Sequence, residues 1–287
     1  MNNQNREHFS VLMAVYAGEQ APHLAQALAS LCEQQLPAQQ VVIVEDGPLT
    51  PELMQVLNDY EVKLPLLRMV QPQNLGLAAA LQLGLEACTY ELVARMDADD
   101  VAVPSRFARQ IAVMSKRPSL SVLGSYVAEF IDNPQQPYAL RPVPVGESAV
   151  AAAARWRCPL NHPSVIVRKS HLLAVGGYSG FRGIEDYYLW GRLLVAGKSI
   201  DNLHEVLMLV RAGADLGRRR GGWVYAQREL LLYKAFWQMG FMTWYQALCG
   251  VLLRLPVRLL PSGLRSWIYQ RAIRRALKKT ATSEVPL

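Results

Sequence analysis

Four short apolar runs, Phe9–Val15, Val41–Val44, Leu66–Val70 and Glu91–Met96, are separated by segments whose apolar residues recur at helical spacing. In the first such segment Leu24, Ala27, Leu28, Leu31 and Cys32 share one face, and Leu77–Cys88 repeats the pattern. Runs this short read as strands, and strands buried on both faces are continuously apolar. Strand–helix alternation at these lengths predicts an α/β fold, a mostly parallel twisted sheet flanked by helices on both faces. Thr50 and Pro51 supply an N-cap and first residue for the second helix, and Pro104 opens one running to Lys116. Beyond it the pattern predicts a strand over Ser121–Phe130, a loop at 133–137 and a helix over Gly146–Cys158. A short strand Pro163–Arg168, a turn at Gly176-Gly177-Tyr178 and a helix over Gly183–Ala196 follow.

Ligands of open α/β sheets bind outside the carboxyl ends of the strands, so the residues there carry the chemistry. The second strand ends in Glu45-Asp46-Gly47-Pro48, and Leu92-Val-Ala-Arg-Met-Asp-Ala-Asp-Asp100 runs a strand straight into three carboxylates. On an extended chain Asp97 and Asp99 point to the same side and can share one cation or ligand. Three acids this close repel one another, and a hard divalent cation that also takes phosphate oxygens relieves the repulsion. The competing reading is an acidic loop or helix cap without a ligand. Glu185 and Asp186 open a helix, where carboxylates are favoured by the helix dipole whether or not they do chemistry.

Several function classes lose their sequence support. No GxGxxG follows the first strand, and no P-loop, HExxH or G-x-S-x-G occurs. Four cysteines lie far apart without a CxxC pair, so neither a zinc site nor a disulfide framework is indicated. The net charge of +7 is uneven: residues 202–287 hold fourteen Lys and Arg against four Asp and Glu, residues 1–201 sixteen against nineteen. This asymmetry points to an anionic partner, nucleic acid or membrane. The basic end comprises Arg218-Arg-Arg220, an amphipathic helix over Trp223–Met239, an aromatic run at 236–245 and a basic helix over Arg265–Lys279. Arg254, Pro256 and Arg258 interrupt the apolar stretch at 241–260, so no spanning helix is predicted. Helices lying in a membrane surface and an aromatic bundle packed on the core both fit this composition. Met1–Ser10 is polar, so export by a signal peptide is not expected.

Taken together, Ser10-Val-Leu-Met-Ala-Val-Tyr16, Val42-Ile-Val-Glu-Asp-Gly47, Asn74-Leu-Gly76, Met96-Asp-Ala-Asp-Asp100, Gly176-Gly-Tyr178 and Glu185-Asp-Tyr-Tyr-Leu-Trp190 stand in the order and spacing of the inverting GT-A glycosyltransferases. The resemblance covers roughly residues 9–211. The Glu45-Asp-Gly-Pro48 variant, Asn161-His-Pro163 and Leu259-Leu-Pro-Ser-Gly-Leu-Arg265 resemble a narrower group of AmsE-like bacterial enzymes of exopolysaccharide and O-antigen assembly. Ala17 departs from the pattern, since relatives usually carry Asn there.

The resemblance implies a GT-A domain over 1–210, with a nucleotide-binding half (1–100) and an acceptor half (101–210), and a membrane-associating helical region at 211–287. It implies that Asp46, with Glu45 beside it, binds uracil, and that Ala14, Tyr16, Glu19, Asn74, Gly76 and Ala98 line the nucleotide-sugar site. Asp99, with Asp97, would hold Mn²⁺ or Mg²⁺, and Asp97 approaches the ribose or the metal's water. The general base lies in the Glu185–Asp186 pair, with Asp186 favoured. His162 and Arg211 are expected at the acceptor or a diphosphate. The implied substrates are a UDP-sugar and a polyprenyl-diphosphate-linked sugar, met in the cytoplasm at the anionic inner face of the bacterial inner membrane, with no nucleic acid partner. A nucleotidyltransferase would share the sheet, acids and metal but needs a basic Gly-rich loop, and Ala14-Val-Tyr-Ala-Gly-Glu19 carries no base. A nucleic-acid-binding protein using the basic tail leaves the acid clusters without a role.

Overall fold

The computed structural model describes residues 7–212 and 222–260. The first half alternates as expected: β1 (Phe9–Val15), α1 (Ala21–Cys32), β2 (Gln40–Asp46), α2 (Pro51–Glu61), β3 (Leu66–Gln71), α3 (Leu77–Ala87) and β4 (Leu92–Arg95). The Thr50 hydroxyl caps α2 by accepting from Leu53 N at 3.4 Å, with Pro51 at the first helical position, a cap that contributes about 1 kcal/mol. There follow β5 (Val101–Ala102), α4 (Arg106–Lys116), β6 (Leu120–Phe130), β7 (Ala139–Arg141), α5 (Glu147–Ala154), β8 (Ile166–Arg168), α6 (Lys169–Ala174), α7 (Glu185–Val195), β9 (Ser199–Arg211), α8 (Trp223–Gln238) and α9 (Trp244–Leu259).

The strands form one sheet in the order β3-β2-β1-β4-β8-β6-β9-β5, with β7 on β6. β3, β2, β1 and β4 are mutually parallel. Beyond β4 the sheet is mixed: β8 runs antiparallel to β4 and β6, while β9 is parallel to β6. The chain winds outward from β1 to β3, then returns to place β4 on the other side of β1. A crevice opens at such a reversal, at the C-terminal ends of the strands.

The period of two along the strands assigns side chains to the two layers. Phe9, Val11, Met13 and Val15 of β1 face a core made with α1, α2 and α4, which contribute Leu24, Leu28, Leu53, Leu57, Phe107 and Met114. Leu12, Val42 and Val44 face the other side, against Leu81 and Leu85 of α3, Leu172 of α6 and Trp190 of α7. Each fully buried Leu or Val in these layers contributes about 1.5–3 kcal/mol.

Several elements differ from expectation: the short strands β5 and β7 were not expected, and α4 begins at Arg106, two residues after Pro104. Pro163 lies in a 3-10 turn, His162–Ser164, and β8 begins only at Ile166, because proline cannot donate to the ladder. The helix expected over Gly146–Cys158 ends at Ala154. β9, thirteen residues long, was not expected at all, since Asp201, Asn202, His204 and Glu205 break the apolar pattern. Asp201 and Asn202 are buried there with partners from distant chain: Gly146 N at 2.7 Å and Arg117 Nη1 at 2.8 Å on Asp201, Pro144 O at 2.7 Å and Pro159 O at 3.1 Å on Asn202.

α8 and α9 pack onto α7 and α5 through Phe236, Leu232, Tyr233, Phe241 and Met242 against Ala154, Ile184 and Tyr187. Glu229, buried on α8, receives Arg254 at 3.1 Å and Arg258 at 2.8 Å. No helix among the described residues is long and apolar enough to cross a membrane. The expected basic segments Arg218–Arg220 and Arg265–Lys279 lie outside the described residues.

Candidate active site

The loops at the C-terminal ends of β1, β2, β3 and β4 meet at the crevice. Ala14, near the end of β1, is half-buried, and Tyr16, just after it, is exposed, its ring lying over Gly18 in the turn that leads to Glu19. Asp46 ends β2 and clamps the loop after β3. Its carboxylate accepts from Leu75 N at 2.7 Å and Gly76 N at 3.0 Å, and Asn74 Nδ2 donates to its carbonyl at 3.2 Å. Gly47, at φ +88°, allows the approach, since a Cβ would lie 2.7 Å from Asn74 N. Glu45 turns away to pair with Arg68 at 2.7 Å, so Asp46 is the acid that faces the crevice loop.

β4 ends at Arg95, and Ala98–Asp99 form a turn rather than continuing extended. The expectation that strand alternation aligns Asp97 with Asp99 is therefore corrected: the turn brings them together, and it adds Asp100. Carboxylate oxygens of Asp97, Asp99 and Asp100 lie within 4.8 Å of one another. Burial first, then the charge of Asp97, pushes Asp99 up to about 6. Asp100 is fully buried and raised well above the usual carboxylate range by burial and its two neighbours. One of its oxygens accepts from Arg211 N at 2.9 Å, while the other is buried without a partner. Crowded hard oxygen donors with an orphaned oxygen among them fit Mn²⁺ or Mg²⁺.

Asp97 is held by both terminal nitrogens of Arg95, with Nη1 2.7 Å from Oδ2. Arg211 stands behind the Asp99 turn. It donates to Asp99 O at 3.2 Å, Ile131 O at 2.9 Å and Gln26 Oε1, and its guanidinium stacks on Phe130. His162 is buried, with Nε2 3.2 Å from Tyr178 OH, and burial together with the charge of Arg95 holds its pKa well below 6.5.

The second acid pair opens α7. Glu185 is buried, accepts from Gly183 N, and has its pKa raised chiefly by burial. Asp186 is more accessible; it accepts from Tyr187 N at 2.7 Å and lies 3.5 Å from Cys158 Sγ. Arg95 acts electrostatically on Glu185, Tyr178 and His162 as well as on the Asp97–Asp100 turn.

Residues 10–182 match the model of the family described as Glycosyl transferase family 2. Amylovoran biosynthesis glycosyltransferase AmsE of Erwinia amylovora is 37% identical over 266 residues, 92% of this chain and 98% of that protein. The chain belongs to glycosyl transferase family 2. The UDP-Gal:alpha-D-GlcNAc-diphosphoundecaprenol beta-1,3-galactosyltransferase of Escherichia coli is 34% identical over 269 residues, 94% of this chain and 98% of that protein. Among solved structures, S. aureus TarS 1–349 in complex with UDP-GlcNAc superposes with a TM-score of 0.66 at 17% identity, covering 85% of this chain and 71% of the other. Mannosyltransferase PcManGT from Pyrobaculum calidifontis in complex with GDP-Man and Mn2+ gives 0.64 at 18%, covering 97% and 81%. These two likenesses establish the GT-A-like fold of this glycosyltransferase. Two residues without a role in the sequence pattern, Arg95 and Tyr178, lie in the candidate site, and Asp100 joins Asp97 and Asp99 in the acid cluster. Arg95 had a legible signal, a charge in a strand buried on both faces two residues before Asp97.

Proposed function

We propose that this family 2 glycosyltransferase is a metal-dependent, inverting hexosyltransferase. It transfers galactose or glucose from a UDP-sugar to a sugar carried on a polyprenyl diphosphate, in O-antigen or exopolysaccharide assembly. The observation that carries the reading is the Asp97–Asp99–Asp100 cluster at the sheet's topological reversal. The E. coli relative, named for UDP-Gal and a diphosphoundecaprenol acceptor, supports the substrate class, and AmsE, named for amylovoran, supports the polysaccharide context.

In this reading Asp46 accepts from the uracil imide, having lone-pair capacity beyond its two backbone bonds. Asp99, with Asp97 and Asp100 beside it, would hold the cation, which supplies Lewis-acid stabilisation of the departing nucleoside diphosphate. Asp186 takes the proton of the attacking acceptor hydroxyl, and its accessible oxygen at the head of α7 suits that role better than buried Glu185. Attack from the face opposite the diphosphate inverts the anomeric centre, giving a β-linkage from an α-linked donor.

The acceptor lies in a membrane, and the enzyme gains by binding the same surface. Trp237, Trp244, Tyr245, Leu248, Leu252 and Leu253 are exposed on α8 and α9. Together with the C-terminal basic excess they support a peripheral position at the anionic cytoplasmic face. The test is UDP release from UDP-Gal, UDP-Glc, UDP-GlcNAc or UDP-GalNAc on adding synthetic sugar-diphosphate-lipid acceptors, with Mn²⁺ and with EDTA. Release that needs both acceptor and cation is the expected result. Full activity in EDTA overturns the metal requirement, and release from none of these donors overturns the substrate class.

A further inference from the structure

Arg95 is the last residue of β4, and its side chain is only 3% exposed. A charge placed so deep needs compensation, and its geometry shows where that comes from. Both terminal nitrogens grip the two oxygens of Asp97 in a fork, while Nε is buried without any partner. Asp97 itself is about a third exposed, so the pair joins the interior to the crevice. The backbone beneath is fixed as well. Arg95 N donates to Val165 O at 2.9 Å, and Arg95 O accepts from Nη2 of fully buried Arg106 at 2.6 Å. Arg106 makes no ion pair among the described residues; its other bonds go to Gln110 Oε1, Met208 Sδ and Val165 O. Two arginines with different tasks thus meet at the end of β4: Arg106 braces the main chain and Arg95 serves a carboxylate.

The fork distinguishes the acids of the cluster. Asp97 has both oxygens engaged by a guanidinium, whereas the Asp99 carboxylate makes no ion pair among the described residues. The charge of Arg95 also acts on Tyr178, whose hydroxyl lies 3.2 Å from His162 Nε2, and on Glu185 at the start of α7. We propose that Arg95 is a positioning residue of this glycosyltransferase, acting through Asp97. It locks Asp97 as its own ion-pair partner, offsets one of three crowded carboxylates, and leaves Asp99 as the carboxylate presented to a divalent cation. The proposal rests on the metal-dependent reading above and adds to it the residue that organises the acids.

The test is a double-mutant cycle on the full chain, read by titration with Mn²⁺ alone and then with UDP present. Asp97→Asn removes a negative charge and leaves the buried Arg95 unpaired beside Asp99, so it should weaken Mn²⁺ about tenfold through charge rather than through a lost ligand. Arg95→Met frees Asp97 beside Asp99, and a third available carboxylate should tighten Mn²⁺ alone about tenfold while weakening UDP binding. The double variant Arg95→Met/Asp97→Asn removes the pair together and should return Mn²⁺ affinity to within about twofold of wild type, which it would not do if Asp97 were a direct ligand. Arg95→Lys, which keeps the charge but loses the fork, should fall between. If Arg95→Met alone does not fold, the double variant, which buries no unpaired charge, decides: a tenfold or larger loss of Mn²⁺ affinity there makes Asp97 a direct ligand and overturns the proposal. A wild-type chain that binds no Mn²⁺ with or without UDP defeats the metal-dependent reading and this proposal together, whereas binding lost in the double variant defeats the proposal alone.

Discussion

The Asp97–Asp100 turn and the Glu185–Asp186 helix start both put carboxylates at the crevice, but they stabilise them differently. The first crowds three acids after a strand, relieves one with the buried guanidinium of Arg95, and leaves a buried oxygen of Asp100 unpartnered. The second gives its oxygens to main-chain N–H groups, of Gly183 for Glu185 and of Tyr187 for Asp186, where the positive end of a helix dipole assists. A group that is unfavourable until a cation arrives gains affinity for that cation. The second pair has its oxygens partnered by main-chain donors whether or not a ligand is present.

The comparison breaks most severely at Asp99. Asp99→Asn should weaken Mn²⁺ and UDP binding in calorimetry and lower turnover by at least about 10³-fold, since charge on the leaving diphosphate goes unstabilised. Near-normal turnover would mean that the cluster holds no catalytic cation. Asp186→Asn should lower kcat by about 10²–10⁴-fold with donor binding nearly unchanged. Glu185→Gln should keep most activity. The carboxyl of Glu185 is raised above 4.5 in the folded chain, so the folded state binds its proton more tightly and stability contributed by that proton is lost as pH rises past about 4.5. Glu185→Gln should therefore raise the melting temperature at pH 7 and leave it little changed at pH 4. An inactive Glu185→Gln beside an active Asp186→Asn would exchange the two roles.

A smaller effect separates the catalytic domain from the helices after it. Sedimentation with anionic liposomes should retain the full chain, and high salt should release part of it, because each Lys or Arg near the surface contributes about 1 kcal/mol that ions screen. A chain truncated after Lys234 should bind less. Equal, negligible binding by both would reduce α8 and α9 to a bundle packed on the core. The smallest effect concerns His162. Its folded pKa lies well below 6.5, so only the unfolded chain takes the proton as pH falls below about 6.5, and stability drops in that direction. His162→Gln should flatten the pH dependence of the melting temperature between about pH 6.5 and 5, and an unchanged slope would place the titration elsewhere.

The strand–helix alternation of residues 9–95, the acids after β2 and β4 and the helix start at Glu185 were legible in the sequence, because hydrophobic period and capping are local properties. Family membership was legible too, since six short motifs kept their order. In the second half of the sheet β6 and the end of β8 were legible as apolar runs, but β9 was decided by tertiary structure. β9 is a strand because distant groups, Gly146 N, Arg117, Pro144 O and Pro159 O, satisfy its buried Asp201 and Asn202, and no local pattern records such partners. The same holds inside the site. That Arg95 grips Asp97, that Arg211 braces the Asp99 turn and that Asp100 is buried with an orphaned oxygen all depend on side chains meeting across the fold. A charged residue's role is set by what burial removes and which partner replaces the water, and both are fixed only when the chain has closed around it.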